Sequence, residues 1–105
     1  MRRPATLGVA LAVLLACSWA ASPAQEFPGA DLAGRLGCFA CHSLKGQGGN
    51  GAVSLDGVAT RLSPRQLQLA ITYPRQLHAR AKMPSYAYLP PAEQEALVHY
   101  LETFK

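Results

Sequence analysis

The sequence has no internal repeat, no low-complexity tract and no run of strand-length apolar–polar alternation. No strand is expected on that ground, and the segments that can be read, described below, are helical, so the expected fold class is all-α. Its longest apolar run, Thr6 to Ala16, is 11 residues, too short to cross a bilayer as a helix. The glycines between Leu44 and Gly57 follow no strand and precede no Gly-Lys-Ser/Thr, so they do not cradle phosphate. Cysteine and histidine are both scarce, at three each. At 105 residues the chain is one small domain.

What is present is concentrated in Cys38-Phe39-Ala40-Cys41-His42. Two thiols three positions apart, with an imidazole directly after, read as a c-type haem attachment site. Each sulfur can form a thioether with one haem vinyl group, and the tether brings His42 under the iron. A zinc site would want a second ligand pair, whereas only His78 and His99 remain, well apart. A thioredoxin-like redox pair would want a βαβ pattern, and none surrounds the motif. A disulfide between Cys38 and Cys41 leaves the histidine unexplained.

The N-terminus reads as a removable export segment. Met1-Arg2-Arg3 supplies the positive start, Thr6 to Ala16 the apolar centre, and Ser22-Pro23-Ala24 small residues for cleavage before Gln25. The expected division is therefore 1–24 as signal and 25–105 as the haem domain, in a periplasmic location. Leu14-Leu15-Ala16-Cys17 also resembles a bacterial lipoprotein signal, in which Cys17 becomes the lipidated first residue and anchors the protein to the membrane. Both readings of Cys17 stand. Loss of Arg2 and Arg3 takes the net charge from +4 to +2, and two haem propionates bring it near zero. Nucleic acid is not an expected partner. About 81 residues would remain, few enough that a bound apolar cofactor is needed to complete a core.

Three helices are expected, joined by long irregular connections. The first spans Gly29 to Gly37, with Leu32 and Leu36 on one face and Gly37 as its stop. The second opens with Ser63 as cap, Pro64 in its first turn and Gln66 completing a capping box, with Leu67, Ala70 and Ile71 facing inward. The last runs from Pro91 to near Lys105, burying Leu97, Val98, Leu101 and Phe104. Met83 is the sole methionine beyond the leader and precedes Pro84 in an irregular stretch, which marks it as a sixth ligand for iron rather than a core residue. His78 and His99 read as surface histidines, and Tyr73, Tyr86 and Tyr88 as pocket or loop packing. Arg61, Arg65, Arg75, Arg80 and Lys82 form a basic run that leads up to Met83.

The order Gly29-x-x-Leu32, Gly37-Cys38-x-x-Cys41-His42, Met83-Pro84-x-Tyr86 and Leu97-x-x-Tyr100-Leu101 is similar to small class I cytochromes c of bacteria. The resemblance implies crossed first and last helices, with Gly29 letting the backbones approach at Tyr100 or Leu97. It also implies one covalent haem c in a crevice between His42 and Met83. Ala33 stands where the family often has an aromatic, and Gly51-Ala52 where it often has Gly-Pro. Leu55-x-Gly57-Val58-x-x-Arg61-Leu62-Ser63 gives a looser likeness to the monohaem subunit of the thiosulfate-oxidising complex. The expected function is one-electron transfer between a redox protein donor and acceptor, without enzymatic activity of its own. The alternatives are a relay subunit of a larger periplasmic oxidoreductase, and a haem sensor or enzyme with an open sixth position.

Overall fold

The computed structural model describes residues 28–105, so the expected signal segment 1–24 and Cys17 lie outside the described residues. Helices α1 (Gly29–Arg35) and α6 (Pro91–Glu102) pack across one another. Gly29 makes the approach feasible: a Cβ there would run into the Ala96 carbonyl and the Tyr100 Cβ. Only glycine lets two backbones meet so closely. Leu32 and Ala33 are buried at the crossing, so the small Ala33 is a core residue in its own right. Leu36 caps α1, and Gly37, at φ 77°, closes it as expected.

Between them lies α2 (Cys38–Cys41), a single turn opening at the first motif cysteine. After it come two strands of two residues each, β1 (Ser43–Leu44) and β2 (Gln47–Gly48), paired antiparallel. Lys45 and Gly46 join them with φ 51° and 77°, the two left-handed positions that suit a tight hairpin to strand twist. Sequence alternation cannot reveal strands this short, and this hairpin replaces part of the expected loop. A further turn, α3 (Val58–Arg61), precedes α4 (Pro64–Thr72).

The start of α4 matches its sequence signature in full. The Ser63 Oγ accepts from the Gln66 amide at 3.2 Å, and the Ser63 amide donates to Gln66 Oε1 at 2.9 Å. Leu67, at 1% exposure, and Ile71 form its inner face. Thr72 is buried too, and its hydroxyl is satisfied by the Gln68 carbonyl at 2.7 Å. Pro74 does not lead straight into irregular chain but opens another single turn, α5 (Pro74–Leu77). Helix α6 stops at Glu102, short of Lys105, and buries Leu97 fully, with Val98, Leu101 and Phe104 only partly covered. The described chain is thus helical, with three longer helices and three single turns.

Leu32, Ala33, Ile71, Tyr86, Leu89 and Leu97 form one buried cluster where α1, α4, α6 and the 78–90 connection converge. Cys38 and Met83 lie against that cluster, half-buried.

Candidate haem site

Cys38 and Cys41 stand three residues apart in α2 and so share one side of the turn. Both are free thiols, so they do not form a disulfide with each other. Cys38 is half-buried, and that burial pushes its thiol above the ordinary range; Cys41 is exposed. The turn is held from outside by Gly49. Its amide donates to the Phe39 carbonyl at 2.9 Å, and a Cβ at this position would collide with the Ala40 carbonyl and the Cys41 Cα. The missing side chain at Gly49 thus lets the loop pass close to the motif backbone.

His42 caps the end of α2, and its Nδ1 lies 2.7 Å from the Val53 carbonyl. A carbonyl can only accept, so the proton sits on Nδ1 and the Nε2 lone pair is free for a metal. The carbonyl also fixes the orientation of the ring. Two thiols on one side of a turn and an imidazole in this tautomer fit a covalently held haem iron. Among the described residues, no three of His, Cys, Asp and Glu gather to suit another metal.

Met83 lies far along the chain from Cys38, yet packs against the same cluster. The segment after it is pinned. The Tyr86 amide donates to the Ile71 carbonyl at 2.8 Å, the Ser85 hydroxyl to the Thr72 carbonyl, and the Gln94 side chain to the Leu89 carbonyl at 2.9 Å. Tyr86 is buried, and its hydroxyl donates to the Leu36 carbonyl at 3.1 Å. Desolvation raises its phenol above the ordinary range, with smaller contributions from nearby Cys38, Tyr88 and Cys41. With Cys38 packed against the same buried cluster, Tyr86 is a wall residue of the site.

The other two tyrosines differ from expectation. Tyr88 is 72% exposed and Tyr73 53% exposed, so neither packs inside, although the Tyr88 ring lies 6.2 Å from that of Tyr86. His78 is exposed, and His99 is exposed beside Glu102 at 3.8 Å, as surface histidines should be. The basic run is not one surface. Arg61 folds back onto the Ser54 and Asp56 carbonyls, and Arg65 lines a cleft of about 310 Å³ with Glu95 and His99. Arg75, Arg80 and Lys82 remain exposed in the stretch leading to Met83. Sequence reading missed Val53, whose contribution is a backbone carbonyl and leaves no mark on residue type. It also missed Gln94, an ordinary helix residue until its partners in the loop are known.

No curated protein matches this chain. A family model described as Cytochrome c matches residues 28–105, about three quarters of the chain. The match takes in every element from α1 to α6, and the chain belongs to the cytochrome c family, an all-α haem protein of electron transfer with one covalently bound c-type haem.

Proposed function

We propose that the protein is a one-electron carrier with Cys38 and Cys41 as its thioether anchors and His42 and Met83 as its axial ligands. Bound haem supplies the Fe(II)/Fe(III) couple; the chain supplies its ligands, its enclosure and its docking face. His42 presents Nε2, freed by the bond from Nδ1 to Val53. The observation that carries the reading is that Met83 and Cys38, far apart in sequence, pack against one apolar cluster. A thioether is a weak donor and stays on iron only when its loop is already in place. The bonds from Ser85, Tyr86 and Gln94 provide that constraint. With both axial positions taken by protein, substrate has no ready access to the iron.

The test is substitution of Met83. Met83→Ala should open the site to carbon monoxide, and Met83→His should lower the reduction potential markedly, since imidazole favours Fe(III) more than a thioether does. Ready binding of carbon monoxide by the wild type, or an unaltered spectrum and potential in Met83→Ala, would move a sensor or enzyme reading ahead.

Exposed Arg75, Arg80 and Lys82 suit an acidic redox partner. Electron-transfer rates should then fall as ionic strength rises, and Lys82→Glu should slow the bimolecular rate while barely moving the potential. A rate indifferent to salt would make these residues an ordinary solvated face. The positive leader and its apolar centre support export.

A further inference from the structure

Val53 occupies an unusual position for a residue that holds a ligand. Its side chain is 70% exposed, so burial does not fix where its carbonyl points. The neighbours must do so. Behind it, the Ala52 amide donates to the Cys41 carbonyl at 3.0 Å. Ahead of it, Arg61 reaches back from α3, with Nη2 donating to the Ser54 carbonyl at 3.1 Å and Nη1 to the Asp56 carbonyl at 2.9 Å. The Asp56 carboxylate faces elsewhere, accepting from the Lys45 amide at 3.0 Å and the Ser54 hydroxyl at 2.9 Å. Helix α3 is itself anchored, by buried Val58 and by the bond from the Ala59 amide to the Phe104 carbonyl at 2.9 Å.

We infer that Arg61 is a positioning residue for His42: its guanidinium fork holds the 53–56 segment so that the Val53 carbonyl stays on the imidazole Nδ1. The inference rests on His42 being the iron ligand. A planar fork with two fixed donors sets the direction of a loop as well as its distance, which a lysine ammonium cannot do. Through that carbonyl, Arg61 governs how strongly the ring donates to iron.

This role has a distinctive sign. A firm acceptor on Nδ1–H makes the imidazole a better donor, favours Fe(III) and lowers the potential. Loosening the segment should therefore raise it. A positive charge near the iron acts oppositely, because it favours Fe(II), and its removal should lower the potential.

The experiment compares Arg61→Lys, Arg61→Met and, as a charge control, Arg65→Met, all in the haem-loaded protein. Reduction potential is measured together with the exchange rate of the His42 Nδ1 proton, read by NMR of the ferric form. Arg61→Lys, which keeps the charge, should raise the potential, by up to about tenfold in the one-electron equilibrium or ~59 mV; Arg61→Met, which also removes a charge, should raise it less, and both should speed proton exchange. Arg65→Met should alter neither. A lower potential in Arg61→Met with no change in Arg61→Lys would show that Arg61 acts as a charge, overturning the inference. Unchanged potential and exchange in Arg61→Lys would overturn it too, and this variant decides even if Arg61→Met fails to fold. Absence of an iron-shifted His42 ring proton in the wild type would instead refute the ligation on which the inference rests.

Discussion

The two sides of the site are held by different means. The thiol side, residues 37–57, is nearly all backbone and short polar links: Gly49 against α2, the two-residue ladder, the Asp56 knot, the Arg61 fork. Its bonds join residues close in sequence, and of its side chains Leu55 alone is buried. The methionine side is held by the rest of the molecule. Tyr86 and Leu89 sit in the core, and the loop is bonded to α1, α4 and α6. The contrast suits the chemistry each side would sustain under the proposed ligation. Covalent anchors tolerate a light scaffold, whereas a weak thioether donor needs one that the whole fold enforces.

The comparison breaks most severely at the anchors. Cys38→Ala combined with Cys41→Ala should let acidified organic solvent extract the haem and should abolish the cooperative thermal transition. Haem retained under those conditions would mean that the anchors lie elsewhere. Next comes Tyr86→Phe, which keeps the ring but drops the bond to Leu36. It should cost about 1 kcal/mol in denaturant unfolding and admit more carbon monoxide while leaving the haem covalently bound. A loss of covalent haem in Tyr86→Phe would show the two sides to be coupled. The smallest effect should be acid loosening at Asp56. The Lys45 amide and then the Ser54 hydroxyl hold its carboxyl below the ordinary range. A carboxyl depressed by folding stabilises fully above its unfolded value, about 3.9, and that stabilisation is lost as pH falls through the folded value. Wild-type stability should therefore drop in that acid window more than that of Asp56→Asn, measured by denaturant midpoints; parallel curves would remove Asp56 from the brace.

The same contrast explains what the sequence disclosed. Cys38, Cys41 and His42 are legible because covalent chemistry fixes residue type and spacing. Ser63, Pro64 and Gln66 are legible because a helix start is a local event with local rules. Gly29 was placed through the family resemblance, and the structure supplies its reason, since so close a crossing leaves no room for a side chain. The hairpin at Lys45 was hidden, since two-residue strands carry no periodicity. The solvent-facing Tyr88 and Tyr73 were hidden too, because an aromatic near a site can face either way until the loop is built. Arg61 looked like one member of a charged run, and only the fold turns it toward two carbonyls.

The spans of the two hydrogen bonds nearest the ligands carry a consequence in time. His42 and Val53 are 11 residues apart, whereas Tyr86 and Leu36 are 50 apart. Closing the shorter span costs less chain entropy by about 1.3 kcal/mol. Every bond of the Arg61 fork and the Asp56 knot also lies within residues 45–61, so none of them needs the methionine loop as a partner. The thiols and their histidine thus belong to the part of the chain that can organise itself early, and the methionine to the part that must wait for the last helix.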